Sequence, residues 1–323
     1  MSETIITRAP TRIDFGGGWT DVPPYSDEMG GFVCNVAIAR YASVTVDQTS
    51  RVSHEGAQRL STTGTSADRS IAEAAARRFS MTGARIDVRS DFPLGAGLGG
   101  SSAAGVATVA ALAAARGEIM DPTQIAELSR AIEIGDLGVP GGRQDHYAAA
   151  YGGALGLRFS ANGVDVRRIA LDHELRAELE RRCIVIYTGK SRISGETIEA
   201  VLGAYRQREQ RVLGALDRMR ATAESMVHAL EARDLDGLAE LVAEQWTHQR
   251  SLHAAIPTPL IDEIIARGTA AGAVGAKALG ASGGGCVLLI ARNDRSDEVR
   301  QAVSSLGELL PFSVAERGVE RCR

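Results

Sequence analysis

Aromatic residues, cysteines and long apolar runs are all scarce in this sequence, and each scarcity excludes a class of function. Aromatic side chains make up 4% of the 323 residues, too few for an extended base-stacking surface. No basic run stands out and the formal net charge is −4, so nucleic acid is not an expected partner. The four cysteines lie far apart, without CxxC pairs or metal-ligand spacing. Scattered thiols of this kind fit a reducing cytoplasm.

Apolar residues are plentiful but never form a run long enough for a membrane. The longest smooth stretch, Ala103–Ala115, is mostly alanine and spans 13 residues, whereas a membrane span needs about 20. It therefore predicts a buried helix. The first ten residues lack the basic, apolar and small-residue regions of a signal peptide. We expect a cytoplasmic protein without a membrane partner.

The order of predicted elements indicates two mixed α+β lobes. Strand and helix patterns alternate through the amino-terminal half, whereas the carboxyl-terminal half begins with helical patterns and ends in strand–helix–strand. We predict a division near Asp165–Asp172, giving domains at residues 1–170 and 171–323. At the carboxyl end, Glu298–Leu309 is predicted as a helix and Phe312–Glu316 as the closing strand.

Two helices are predicted directly after the glycine-rich segment described next. Ser101–Arg116 reads as a long helix, and Pro122–Ile134 reads as a second one capped by Asp121.

The segment Pro93–Ala104, PLGAGLGGSSAA, carries four glycines within six residues. Glycine lets a backbone adopt positive φ angles and approach a ligand closely. The helix that follows begins with free N–H groups and a positive dipole end, which attract anions. The Walker pattern GxxxxGK[ST] is absent, and the loose GxGxxG lacks its Rossmann context. The segment predicts a phosphate site, with a flexible loop before a core helix as the alternative.

Two further segments complete a pattern of three. Residues 9–21 read APTRIDFGGGWTD, and residues 277–286 read KALGASGGGC. With Pro93–Ala104 they resemble, in order and spacing, the GHMP kinases: galactokinase, homoserine kinase, mevalonate kinase and phosphomevalonate kinase. The resemblance covers nearly the whole chain. It implies a two-lobed fold with an amino-terminal lobe like ribosomal protein S5 domain 2 and a ferredoxin-like carboxyl-terminal lobe.

The same resemblance implies an activity. ATP would donate a phosphoryl group, with Mg²⁺ as cofactor, to a small-molecule sugar or sugar phosphate. The state would be a monomer or a homodimer. Within the family, residues 15–25 (FGGGWTDVPPY), 141–153 and 188–192 (TGKSR) are most similar to heptose 7-phosphate kinase-like enzymes and to the kinase domain of fucokinases. Galactokinases carry Glu-His in place of Gly18-Trp19, which disfavours plain galactose. The implied target is the anomeric hydroxyl of a heptose 7-phosphate, with a cyclitol or another sugar 7-phosphate as the alternative.

The predicted nucleotide and metal site lies on the first helix and its loop. By resemblance Ser102 is the preferred Mg²⁺ ligand and Ser101 the alternative. Glu133 would supply a carboxylate, because Mg²⁺ prefers hard oxygen ligands and an acid among apolar residues is costly to bury without a partner. A solvent-facing Glu133 is the alternative. The predicted phosphate cradle comprises Pro93, Gly95, Ala96, Gly97, Leu98, Gly99, Gly100, Ser101 and Ser102.

Asp145 matches the family's catalytic aspartate, which would accept or orient the substrate hydroxyl proton. The alternative is an acid stabilised by a helix dipole. His146 is a second candidate base, with a packing or substrate contact as its alternative. By resemblance Arg12 lies near Asp145 and keeps it ionised.

The substrate residues rest on the resemblance and on charge. Asp21 matches a sugar-binding aspartate, with a turn residue before Pro23-Pro24 as the alternative. Lys190 and Arg192 would hold a phosphate on the substrate, or be solvated surface charges. Arg143 is a further candidate cation near Asp145. Gly18 and Trp19 would lie beside the sugar, and Gly283 and Gly284 would approach the ligand closely or form a tight turn between core strands.

Three rival functions remain. One is a fucokinase-like kinase of an unphosphorylated sugar. Another is a sensor that has lost catalysis, against which Arg12, Ser102, Glu133 and Asp145 argue. A decarboxylase of the mevalonate branch is disfavoured by the sugar-type first motif.

Overall fold

The computed structural model describes residues 4–48, 60–190 and 195–322. Arg192 lies outside the described residues, so its predicted role has no structural counterpart here. The strands are β1 (Thr4–Gly16), β2 (Gly31–Gln48), β3 (Ser61–Thr63), β4 (Ala84–Ser90), β5 (Ala154–Ser160), β6 (Gly163–Ile169), β7 (Cys183–Tyr187), β8 (Ala273–Ala278), β9 (Cys286–Ala291), β10 (Glu308–Leu310) and β11 (Glu320–Cys322). The helices are α1 (Tyr25–Glu28), α2 (Ser66–Arg78), α3 (Gly100–Ala115), α4 (Pro122–Arg130), a π-helix (Ala131–Asp136), α5 (Gln144–Tyr151), α6 (His173–Arg182), α7 (Gly195–Arg206), α8 (Gln210–Glu231), α9 (Leu235–Ser251), α10 (Pro259–Ala271) and α11 (Ser296–Val303).

Strand β2 organises the amino-terminal sheet. One of its edges pairs with β1 along most of its length, while its other edge pairs first with β5 and then with β4. β3 extends the sheet beyond β4, and β6 beyond β5. The short β11 returns from the carboxyl end of the chain to pair with β1. The predicted division at 170/171 stays a prediction, since the last strand belongs to the first sheet.

Helix α3 packs its alanine-rich length against this sheet. Alanine has the highest helix propensity and lets neighbours approach closely, and eleven of the sixteen residues of α3 are buried. The helix confirms the one predicted from the sequence. Within the described ranges, none of the helices combines the length and the apolar character that crossing a membrane requires.

The second sheet is antiparallel, with strand order β10-β7-β9-β8. Along the chain the order is one strand (β7), helices, two strands (β8 and β9), one helix (α11) and one strand (β10). This is the ferredoxin-like arrangement. The predicted two-lobed α+β fold is therefore confirmed. The three helices α7, α8 and α9 occupy the helical stretch predicted after residue 194.

Three predicted elements differ from the structure. The helix expected over Glu298–Leu309 ends at Val303, and Glu308–Leu310 form the strand β10 instead. The helix expected over Pro122–Ile134 is α-helical only to Arg130 and continues as the π-helix, whose wider turn is common at functional sites. The closing strand expected at Phe312–Glu316 is wrong: this segment makes one isolated bridge, Val314 with Ile38, and the pairing strands are β10 and β11. Short strands leave little alternating pattern in a sequence.

Candidate active site

The glycine-rich loop between β4 and α3 lines a cavity of about 370 Å³ at the meeting of the two lobes. Gly95, Gly97 and Gly99 have φ angles of 65°, 73° and 74°, which residues with a side chain adopt only under strain. Gly99 makes no side-chain cap to the first turn of α3, so its orphan N–H groups are left to a ligand. The loop predicted as a phosphate cradle lines this cavity throughout.

Close packing explains two of these glycines. A Cβ on Gly97 would lie 2.7 Å from the carbonyl oxygen of Leu279, and one on Gly99 would lie 3.0 Å from Cγ of Asp145. The loop is thus pressed against the second lobe on one side and against Asp145 on the other.

The third motif forms the turn that presses on this loop. It joins β8 to β9, and the N–H of Cys286 donates to the carbonyl of Ala96 at 2.8 Å. Gln249, on α9, holds the turn by donating from Nε2 to the carbonyl of Gly280 at 3.1 Å and to Oγ of Ser282 at 3.1 Å. The tight turn and the close approach to the cavity, which were alternatives from sequence, are the same feature.

Arg12, which is buried, and Asp145, which is partly exposed, form an ion pair at one wall of the cavity. Nε of Arg12 donates to Oδ1 of Asp145 at 2.7 Å, and NH2 lies 2.6 Å from the same oxygen. NH1 donates to the carbonyl of Gly97 at 2.6 Å. The guanidinium therefore fixes Asp145 and the glycine-rich loop relative to each other.

Ser102, Glu133, His146 and Ser129 form a chain of polar contacts beside the start of α3. Oγ of Ser102 donates to Oε2 of Glu133 at 2.8 Å. Nε2 of His146 lies 3.2 Å from the same oxygen, and its Nδ1 lies 3.0 Å from Oγ of Ser129. Burial lowers the pKa of His146, although the neighbouring Glu133 opposes the shift. Glu133 is buried with partners and does not face open solvent.

The oxygens of Ser102 and Glu133 fit a Mg²⁺ ion. Neighbouring ligands of an octahedral Mg²⁺, each about 2.0–2.1 Å from the metal, are about 2.9 Å apart. The 2.8 Å between Ser102 Oγ and Glu133 Oε2 matches that spacing. Among the described residues there is no cluster of three or more acidic, histidine or cysteine ligands. Phosphate oxygens and water would complete the shell, as Mg²⁺ prefers.

Asp21 is a further buried acid that lines the cavity. The N–H of Gln144 donates to its Oδ2 at 3.0 Å, and a Cβ on Gly142 would lie 1.9 Å from the same oxygen. Burial raises the pKa of Asp21 to about 6, and the nearby carboxylates of Asp145 and Asp14 add to the shift. Asp21 lies in a turn before Pro23-Pro24, and its buried carboxyl also lines the cavity.

Comparison with known proteins agrees with this geometry. The model of the GHMP kinases N terminal domain matches residues 68–153, and that of the GHMP kinases C terminal domain matches residues 226–309, together more than half of the chain. This chain belongs to the GHMP kinases. It is accordingly an ATP-dependent phosphotransferase.

Several relatives of this GHMP kinase have names that specify a sugar. A D-glycero-alpha-D-manno-heptose 7-phosphate kinase from Campylobacter jejuni is 27% identical, the match covering 99% of each chain. The bifunctional fucokinase/GDP-fucose pyrophosphorylase of Arabidopsis thaliana is 25% identical over 93% of this chain and 31% of its own length. A solved structure of a D-glycero-D-manno-heptose 1-phosphate kinase from Bacteroides thetaiotaomicron has a TM-score of 0.78 at 25% identity and 99% coverage of both chains.

The structure of this GHMP kinase brings most of the predicted site residues into one cavity. The lining residues among them are Arg12, Gly18, Trp19, Asp21, Pro93, Gly95, Ala96, Gly97, Leu98, Gly99, Gly100, Ser101, Ser102, Glu133, Asp145 and Gly284.

Three predicted substrate residues lie elsewhere. The guanidinium of Arg143 donates to Asp27 at 2.7 Å and to the carbonyl of Ser160 at 3.0 Å, so Arg143 is a buried structural residue outside the cavity lining. The N–H of Gly283 donates to the carbonyl of Ile256, and Gly283 is likewise outside the lining. Lys190 is exposed, and its carbonyl accepts from the N–H of Gly285.

One buried pair beside the cavity was not expected from the sequence. Lys277 is fully buried, and its Nζ lies 3.1 Å from Oδ2 of Asp14 and donates to the Asp14 carbonyl at 2.9 Å. Burial lowers the pKa of Lys277, and Asp14 opposes the shift. Both residues belong to the family-like motifs, in residues 9–21 and 277–286, but neither the spacing nor the residue types indicate that two distant segments pair.

Proposed function

We propose that this GHMP kinase transfers the γ-phosphoryl group of ATP to the anomeric hydroxyl of a sugar phosphate, with D-glycero-D-manno-heptose 7-phosphate as the best candidate. One observation carries the proposal. The uncapped start of α3 with its glycine loop, the Ser102–Glu133 oxygens and the Arg12–Asp145 pair line a single cavity. Phosphoryl transfer requires that phosphate, metal and acceptor hydroxyl be positioned together.

Each group then has a role. The free N–H groups at the start of α3 hold the ATP phosphates. Asp145 orients the acceptor hydroxyl and takes its proton. Arg12 positions Asp145 and stabilises charge that develops on the transferred group. Asp21 accepts hydrogen bonds from sugar hydroxyls, while Trp19, buried at the cavity wall, packs on an apolar sugar face.

The charges of the cavity favour a divalent cation. Among the described residues that line it, Arg12 is the one permanent cation, facing the acids Asp14, Asp21, Asp68, Glu133 and Asp145. ATP and a sugar phosphate would add several further negative charges. Mg²⁺ held by Ser102 and Glu133 would neutralise charge on the transferred phosphate.

The phosphate on the acceptor needs a cation of its own. Lys190 follows β7 on an exposed loop next to the third motif, to which its carbonyl is bonded. We propose Lys190, together with Arg192, as that phosphate site. The names of two relatives support a phosphorylated heptose as the acceptor, but one specifies a heptose 7-phosphate and the other a heptose 1-phosphate.

The acceptor can be identified directly. A panel of free sugars, sugar 1-phosphates and sugar 7-phosphates would be tested for ATP consumption, with the product read by phosphorus NMR. We expect a heptose 7-phosphate to give a 1,7-bisphosphate. Consumption with free sugars only would reject the proposal. No consumption with any sugar, despite sugar binding, would favour the sensor function.

A fucokinase-like activity on a free sugar is the second candidate. It is favoured by the acidic lining of the cavity, which suits hydroxyl groups better than a second phosphate, and by the similarity to the Arabidopsis fucokinase. Activity on L-fucose that exceeds activity on every sugar phosphate in the panel would establish it.

A further inference from the structure

His146 is a buried imidazole whose two nitrogens both have partners. Nε2 lies 3.2 Å from Oε2 of Glu133, and Nδ1 lies 3.0 Å from Oγ of Ser129, with 1% of the residue exposed. We propose that His146 is a positioning residue: it fixes the carboxylate of Glu133 against Ser102, so that their oxygens are held at metal-binding spacing. The inference rests on the proposed function in taking Ser102 and Glu133 as the Mg²⁺ site.

The hydrogen-bond directions follow from the chemistry of the partners. A carboxylate oxygen accepts, so we assign the ring proton to Nε2, which faces Oε2 of Glu133 at 3.2 Å. A neutral ring then accepts at Nδ1, and the hydroxyl of Ser129 donates to it. Both nitrogens are occupied, which leaves His146 without a lone pair for a substrate proton. This separates it from Asp145, its neighbour in sequence.

The position of Ser129 depends on close packing between α3 and α4. A Cβ on Gly105 of α3 would lie 2.5 Å from Oγ of Ser129, so glycine there lets α4 bring the hydroxyl to the imidazole. Ser129 is 1% exposed. Three helices, α3, α4 and α5, therefore contribute to holding one ring.

The backbone that carries Glu133 is irregular. It lies in the π-helix, which follows α4 and departs from regular α-helical geometry. Oε2 of Glu133 accepts the hydrogen bond from Ser102 and is approached by Nε2 of His146, and within the described part of the chain no group donates to Oε1. Without His146, Ser102 would be the one remaining anchor, and the carboxylate would be free to rotate.

The consequence is a specific kinetic signature. Outer partners of metal ligands typically contribute about 10–100-fold to metal affinity. Replacing His146 should therefore raise the Mg²⁺ concentration needed for half-maximal rate, with most of kcat recovered at saturating Mg²⁺. Loss of a general base would instead lower kcat at every Mg²⁺ concentration.

The test compares His146→Phe, which keeps a ring but has no donor, with His146→Gln, whose amide N–H replaces Nε2–H. Mn²⁺ affinity is measured by electron paramagnetic resonance on the full chain with a non-hydrolysable ATP analogue and no sugar, alongside the Mg²⁺ dependence of the rate. We expect His146→Phe to weaken Mn²⁺ binding at least about tenfold, and His146→Gln to restore most of it. Glu133→Gln sets the scale for loss of the ligand itself.

Two results would overturn the inference: unchanged Mn²⁺ affinity in His146→Phe, or equal losses in both His146 variants. If His146→Phe fails to fold, Ser129→Ala serves instead. It should weaken Mn²⁺ binding measurably, and wild-type affinity in that variant would count against the proposal. Because the binding measurement uses no sugar, its outcome is independent of which acceptor the enzyme phosphorylates. An enzyme inactive on every sugar would refute the proposed function while leaving this inference to its own test.

Discussion

Arg12 contacts a single oxygen of Asp145, Oδ1, with two nitrogens: Nε donates to it at 2.7 Å, and NH2 lies 2.6 Å from it. The other carboxylate oxygen, Oδ2, is therefore not engaged by the guanidinium. Arg12 also reaches the carbonyl of Gly97, so one side chain sets the distance between the proposed base and the phosphate loop. This arrangement makes Asp145 the residue on which the proposed chemistry depends most.

Asp145→Asn should lower kcat by about 10²–10⁴-fold, because a positioned base typically contributes that factor. Nucleotide affinity should change little, since the loop and Ser102 are untouched. Steady-state kinetics and binding of an ATP analogue would measure the two effects. Asp136→Asn, at an exposed acid that pairs with Arg78, is the matched control and should leave kcat unchanged. Near-normal turnover in Asp145→Asn would exclude it as the base.

Gly97→Ala should destabilise the protein and weaken nucleotide binding. Its φ is 73°, and the added Cβ would lie 2.7 Å from a backbone oxygen of Leu279. Gly117→Ala is a matched control, with a φ of 71° and no atom within 4 Å of the added Cβ. Left-handed backbone costs both variants about 1–2 kcal/mol, and the collision should add about 1–3 kcal/mol in Gly97→Ala alone. Urea unfolding checks the difference, and equal losses would show that the loop has room to move.

The buried carboxyl of Asp21 should make stability depend on pH. Its pKa is raised to about 6 from an ordinary value of 3.8, so the folded protein binds the proton more tightly than the unfolded chain does. The free energy of unfolding should therefore fall as pH rises from about 4 to above 6, by roughly 3 kcal/mol from this group.

Asp21→Asn removes this contribution, because an amide does not titrate. The difference in unfolding free energy between wild type and Asp21→Asn, measured between pH 4 and pH 7.5, isolates Asp21 from all other carboxyls. We expect the unfolding free energy of the wild type to fall relative to that of Asp21→Asn as pH rises. A difference that stays constant with pH would mean that Asp21 is ionised in the folded protein throughout this range.

Lys277→Met should cost about 3–5 kcal/mol of stability, because it leaves the carboxylate of Asp14 buried without its cation. The double variant Asp14→Asn/Lys277→Met should recover part of the loss, since the buried charge is then absent. Chemical denaturation of the singles and the double gives the coupling energy. Lys190→Met, at an exposed lysine, should change stability by less than about 0.5 kcal/mol. Additive effects in the double variant would argue against a direct pair.

Lys190→Glu tests the phosphate site on the acceptor. If Lys190 holds that phosphate, charge reversal should raise KM for a sugar 7-phosphate about tenfold or more, since a charge-assisted hydrogen bond contributes about 1.5–3 kcal/mol. KM for ATP and for a free sugar should stay the same, and they are the internal controls. An unchanged KM for the sugar 7-phosphate would remove Lys190 from the proposal.

Much of the fold follows from local patterns. Ser101–Arg116 is apolar and alanine-rich, and α3 forms where expected because helix propensity and burial agree. The π-helix could not be predicted from local patterns, since Ala131–Asp136 has ordinary helical composition and its wider turn depends on packing against its neighbours. The carboxyl-terminal strands also escaped prediction. β10 and β11 have three residues each, and their pairing partners lie far away in the chain.

The sequence by itself determined the family, the phosphate loop and the residue types of the site, because glycine spacing and the three ordered motifs are properties of the chain alone. Only the tertiary structure decided the direction in which each charged side chain points. Arg143, next to Gln144 and Asp145, turns to Asp27, whereas Lys277 crosses between lobes to Asp14 and His146 turns to Glu133. These pairings depend on burial: a charge removed from water needs a partner, and the partner is whichever group the folded chain brings within reach.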